Sequence, residues 1–147
     1  AIVTWDPFTI YAKEQAPGGL HVDDGDGFYR FSWNLVAPAE IISNRGGEIE
    51  TLLRTIRTAG ERIEKNPKAY AAQLSERLAL APEVLAGLLS ACDFDPVLAQ
   101  DLIVQLEGQV RWFMQRDGRT ETAPNFLRYV DSALMRRALP GQVTLVD

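Results

Sequence analysis

With 147 residues the chain has room for one ordinary domain and one core. A hydrophobic fraction of 46% and a charged fraction of 24% belong to a globular protein, not to a disordered or fibrous one. The net charge of −5 supplies no basic stripe for nucleic acid, and a single cysteine with a single histidine leaves no intrachain disulfide, no Cys-based metal cluster and few ways to activate a nucleophile.

The arginines of the helical part alternate with Glu and Asp, which makes them solvated faces. No apolar run approaches the roughly 20 residues of a membrane span. No charged segment followed by an apolar stretch marks a signal peptide at the N-terminal end.

The first element is Ala1-Ile2-Val3-Thr4-Trp5-Asp6-Pro7-Phe8, a short apolar strand that ends in an aromatic, a carboxylate and a proline. Pro7 suits the first turn of a helix, and Asp6 stands where an N-cap belongs. A strand that feeds directly into a helix is a common place for an α/β protein to hold a small ligand. Thr4, Trp5 and Asp6 are therefore the candidate ligand-binding residues. Asp6 could accept from a cationic group, Thr4 could donate to an oxyanion, and Trp5 offers an apolar wall. The plainer possibility is that Asp6 only caps the helix and Trp5 only fills the core.

The segment Phe8 to Glu14 makes two helical turns, stopped by Ala16-Pro17-Gly18-Gly19. Leu20-His21-Val22 could be a short strand. The acidic turn Asp23-Asp24-Gly25-Asp26-Gly27 lacks the ligand spacing and late Glu of a calcium loop, so it reads as an exposed turn. Gly25 and Gly27 have neither the third glycine nor the following helix of a dinucleotide site. Phe28 to Val36 is rich in aromatic and β-branched residues, with Ser32-Trp33-Asn34-Leu35-Val36 the better strand. Ala39 to Ile42 could open a helical turn that Ser43-Asn44-Arg45-Gly46-Gly47 interrupts.

From Glu48 the pattern becomes helical. Ile49, Leu52, Leu53, Ile56 and Ile63 fall on one face of a helix reaching about Lys65. Asn66-Pro67 restarts a helix carrying Tyr70, Leu74 and Leu78. Pro82 opens another, with Leu85, Leu88 and Leu89. Cys92 follows among apolar neighbours and reads as a buried small hydrophobe. A fourth helix from about Val97 to Asp117 carries Leu102, Leu106, Val110 and Phe113, with Trp112 facing the core and Gly118 at the C′ position. Asn125 to Leu139 reads as the last helix, with Phe126, Val130 and Leu134 inward. Arg136 and Arg137 suit its C-terminal dipole. Val143 to Val146 is a terminal strand or extended tail.

This order of pieces resembles the C-terminal half of the periplasmic substrate-binding proteins of nitrate, sulfonate, taurine and bicarbonate ABC importers, in the thiamine-pyrimidine-synthesis-like superfamily. The resemblance is carried by the strand ending in Trp5-Asp6-Pro7 and the extended Trp33-Asn34-Leu35-Val36. It continues through the helix ending in Glu64-Lys65-Asn66-Pro67, then Phe94-Asp95-Pro96, Gln109-Val110-Arg111-Trp112-Phe113, Gly118 and Asn125-Phe126-Leu127-Arg128-Tyr129-Val130-Asp131.

The resemblance implies a helix-rich α/β chain with a partial type II periplasmic-binding-protein fold, a few strands and about five helices. Residues 1–36 would be a remnant of the second lobe with its crossover strand, and residues 37–147 the helical C-terminal part of the first lobe. Family members run to about twice this length, with two lobes of ordinary domain size, which implies a fragment. Its partners would be a small polar solute, a membrane ABC permease, and either a missing N-terminal half or a second copy in a domain-swapped dimer. The location would be periplasmic or extracytoplasmic, with any signal peptide in the missing part. No catalysis, cofactor, metal or nucleic acid is implied. The contrasting reading is a helical regulatory or protein-interaction module. Pairing of Ile2-Val3 with strands inside the chain would discriminate between the two.

Overall fold

The computed structural model describes residues 2–16, 18–23, 25 and 31–146. The described residues form six α-helices: α1 (Phe8–Glu14), α2 (Ala39–Lys65), α3 (Pro67–Leu78), α4 (Pro82–Ala91), α5 (Gln100–Arg116) and α6 (Ser132–Ala138). Two 3-10 turns, Phe126–Tyr129 and Pro140–Gln142, flank α6. Among the described residues no strand or sheet forms, so the α/β expectation, with its partial periplasmic-binding-protein type II fold, is overturned in favour of an all-α chain.

The physical reason is partnership. Ile2 to Trp5, Leu20 to Val22 and Ser32 to Val36 lie outside any helix, where strands were expected, but none of them pairs with another described segment. A strand is made by its neighbour's N–H and C=O groups, and β-branched or aromatic composition alone does not make one. The tail fares slightly better. Val143 forms an isolated parallel bridge with Leu98, through Leu98 N–H to the Gln142 carbonyl at 2.9 Å and Thr144 N–H to the Leu98 carbonyl at 3.0 Å. The beginning of the first expected strand at Ala1, Pro17 of the helix stop, and Asp24, Asp26, Gly27 and Phe28 to Arg30 lie outside the described residues.

The chain divides into two units, Ala1–Ala37 with Arg62–Asp93, and Pro38–Glu61 with Phe94–Asp147. In the first unit, α3 and α4 pack on one another and bury Ala71 and Leu85. Asn66 caps α3 by accepting from the Ala69 N–H at 3.3 Å, and Pro67 takes the first turn, as the Asn-Pro step predicts. The helix closes at Ala79 in the left-handed region (φ 52°), where Leu80 N–H reaches the Ser75 carbonyl at 3.1 Å. Full burial of a leucine such as Leu85 contributes about 1.5–3 kcal/mol.

In the second unit, Met135, Ala138 and Leu139 form the core cluster, with Leu53, Leu98 and Val143 packed against it. Leu134, Ile103 and Leu145 are buried as well. The interruption expected at Ser43 to Gly47 is found at Arg45, whose backbone is non-helical (φ −126°, ψ 26°) and joins two helical stretches of α2 at a kink. Glu50 ties α2 to α6, accepting from Arg137 Nε at 2.7 Å and Arg54 Nη2 at 3.4 Å, while Arg54 also reaches the Arg137 carbonyl at 3.2 Å. Arg136 donates to the Leu145 carbonyl at 3.2 Å. Both arginines therefore hold specific partners, beyond the dipole role expected of them.

The single last helix from Asn125 to Leu139 is corrected. Asn125 caps the 3-10 turn by accepting from Leu127 N–H, and Asp131 caps α6 by accepting from Ala133 and Leu134 N–H. Two caps six residues apart stop one continuous helix from forming, because each cap residue must leave helical φ/ψ.

Among the described residues no helix is long and apolar enough to cross a membrane.

Candidate ligand-contact site

Thr4, Trp5 and Asp6 all lie at the entrance to α1, and all three are exposed. Trp5 is 61% exposed, its ring edge-to-face with Phe8 at 6.0 Å between centroids and 85° between planes. The Trp5 carbonyl accepts from Phe8 N–H at 2.9 Å, which closes the turn through the cis Asp6–Pro7 bond. The N-cap expectation for Asp6 does not hold. Pro7 occupies the cap position, and no side chain caps the helix. The carboxylate is left to act elsewhere in its unit. The Trp5 side chain is likewise not core filling.

One consequence reaches Cys92, which closes α4 in extended backbone. Surrounding protein atoms push the thiol above its ordinary value of 9.0, and the Asp6 charge pushes it further in the same direction. Both effects disfavour the thiolate, so Cys92 is a poor nucleophile near neutral pH. Its expected burial is corrected, since solvent reaches the residue. In α4, which packs on α3, Leu85 is buried, whereas Ser90, Ala91 and Cys92 at its C-terminal end are exposed.

The second unit holds a shallow depression of about 420 Å³ at the C-terminal end of α5, lined by Arg111, Met114, Gln115, Arg119 and Glu121 among others. The sequence pattern did not point there. Beside it on α5, Trp112 and Phe113 stack edge-to-face at 5.0 Å, and the Arg116 guanidinium stands 5.1 Å from the first ring and 4.8 Å from the second. Both rings are exposed, which corrects the expectation that they line a core. Ile103, with Leu102, Leu106, Val110 and Met114, forms the covered face of α5 instead. The signal for this was legible as the spacing of Arg116 three and four residues after the two aromatics, which puts a cation over both rings.

The acidic turn keeps only a local bond among the described residues, Gly25 N–H to Asp23 Oδ1 at 2.9 Å. No group of three or more His, Cys, Asp or Glu side chains among the described residues is gathered to hold a metal ion. Comparison with protein families, with curated proteins and with solved structures gives no match for the chain.

Proposed function

We propose that the chain is part of the solute-binding component of an ABC importer, with Thr4, Trp5 and Asp6 contacting a small polar solute that a membrane permease receives. The observation that carries this reading is the Trp5 corner. An indole packed edge-to-face with Phe8 stands open to solvent, and its sequence neighbours are the hydroxyl-bearing Thr4 and the carboxylate of Asp6, which caps nothing. An apolar wall with a few convergent polar groups is what a small-molecule site requires. Asp6 would repel a bare anion and attract an amine, while Thr4 can donate to an oxyanion. A zwitterion of the taurine type suits that pair better than nitrate. The backbone of Ile2 and Val3 joins no other described segment, which also supports the reading, since an edge without a neighbour suits a piece of a larger fold.

Isothermal titration of the chain with taurine, alkanesulfonates, nitrate, bicarbonate and pyrimidines tests the proposal. Binding of at least one solute, weakened tenfold or more by Trp5→Ala and by Asp6→Asn, is the expected result. Trp5 is exposed, so its removal leaves the core alone. No heat of binding with any member of the panel would overturn the proposal. That outcome would favour a helical interaction module, the reading to which the all-α architecture and the exposed Trp112 and Phe113 rings lend weight.

A further inference from the structure

Arg45 divides α2 into a fixed part and a free part. Its own backbone has left helical φ/ψ, with helical residues on either side and Gly46-Gly47 directly after it. A glycine pair is a usual setting for a sharp kink. From Gly46 onward the helix is held along its length. At Gly46, α6 lies so close that an added Cβ would stand 3.1 Å from Leu134 Cδ2. Glu50 accepts from Arg137, Leu53 packs on the Met135 cluster, and Gly60 meets Phe94. Every one of these contacts joins residues of the second unit.

Residues 39–44 have no such anchors. All are exposed except Ile42, which is half-buried. Outside the helix's own ladder their hydrogen bonds stay local. Ile41 and Ile42 N–H reach the Pro38 carbonyl at 2.9 and 3.1 Å, and the Ser43 hydroxyl donates to the Ala39 carbonyl at 3.0 Å. Segments with few covered apolar groups and solvent-exposed backbone bonds are the ones that open at low free energy. The Arg45 guanidinium is bonded to the fixed side, donating to Glu48 from Nε at 2.8 Å and from Nη2. Both side chains of that pair are exposed, so it adds little restraint.

We infer that Arg45 is a hinge, about which residues 39–44 swing as a short helical arm between the kinked arrangement and one continuous with the rest of α2. A hinge needs a few residues at the end of an element to absorb the change in φ/ψ, beside a part that stays fixed. Arg45 supplies the first, and the contact of Gly46 with Leu134 supplies the second. A helix as short as the arm is marginal by itself, whereas one that extends an existing helix has no nucleus to form. The continuous arrangement is therefore a near competitor of the kinked one. The inference rests on the anchoring of α2 and is independent of the solute proposal, whose residues belong to the first unit.

Double electron–electron resonance on the full chain tests it, with Cys92→Ser leaving nitroxides only at introduced cysteines. The pair Glu40→Cys/Thr58→Cys spans the hinge. The pair Thr58→Cys/Val104→Cys lies on the fixed side, and all three positions are exposed members of the second unit. A continuous helix would separate positions 40 and 58 by about 27 Å, and a kinked one by less. Both components are expected in the first pair, against a single narrow distance in the second. One narrow distance for the first pair overturns the inference, because the kink is then fixed. So does a featureless distribution lacking both components, the sign of a melted arm. Equal breadth in the two pairs overturns it as well, because the motion is then not confined to the arm.

Discussion

Replacement of Gly60 by alanine should destabilise the chain, although the same change inside most helices does the opposite. Gly60 is a buried residue of α2. In an unobstructed helix interior, alanine is better than glycine by roughly 0.5–1 kcal/mol, because glycine loses more backbone freedom on folding. At Gly60 a Cβ would lie 2.6 Å from Phe94 Cβ, 2.9 Å from the Phe94 carbonyl oxygen and 3.3 Å from its carbonyl carbon. Ordinary carbon contacts need about 3.5–4.0 Å, so something must retreat by close to 1 Å. The obstacle includes backbone and cannot simply change rotamer. The next residue is also anchored, with Asp95 accepting from Gln142 Nε2 at 2.6 Å and facing Arg57 Nε at 3.8 Å. Overpacking of this kind costs about 1–3 kcal/mol, which outweighs the helix gain and leaves Gly60→Ala about 1–2 kcal/mol less stable. Gly108→Ala on exposed α5 is the matched control. Nothing lies within 4 Å of its added methyl, so it should gain roughly 0.5–1 kcal/mol. Urea unfolding followed by far-UV circular dichroism measures both. The reasoning is refuted if Gly60→Ala unfolds at or above the wild-type midpoint, or if the two variants shift in the same direction.

Two further outcomes follow from the same structure. The Arg137 hydrogen bond, aided by the Arg137 and Arg54 charges and opposed by burial, holds the Glu50 carboxyl below its ordinary 4.5. A depressed acid stabilises the fold above its unfolded pKa, and that contribution is lost as pH falls through the lower folded value. Glu50→Gln should therefore reduce stability at neutral pH and flatten its fall below 4.5, as a pH series of unfolding curves would reveal; equal slopes for the two proteins would contradict the assignment. Ala79→Gly should raise stability by about 0.5–1 kcal/mol, because alanine is strained in the left-handed cap that glycine adopts freely. A lower thermal midpoint for Ala79→Gly would count against that view.

The helical part was largely legible before any coordinates. Asn66-Pro67 and Pro82 mark the starts of α3 and α4, and Gly118 (φ 65°) sits just beyond α5, because caps and breakers act on neighbouring backbone. Periodicity was less reliable for choosing the covered face. Leu52, Ile56 and Phe113 continue apolar stripes yet stay exposed, while the core gathers Leu53, Met135, Ala138 and Leu139. A stripe says which residues share a side, but not whether a neighbour covers it. The candidate site was half legible: Trp5 and Asp6 were recognisable as a corner, but the loss of the Asp6 cap was not. The cap failed because the helix begins one residue later, at Phe8.

What the sequence determined by itself is the set of local decisions: where helices begin and end, which stretches prefer extended backbone, and which chemistries the side chains cannot perform. The tertiary structure alone decided that those extended stretches form no sheet. A helix satisfies its hydrogen bonds within its own segment, so its existence can be read locally. A strand is completed only by another strand, and Ile2 to Trp5 and Ser32 to Val36 find none among the described residues.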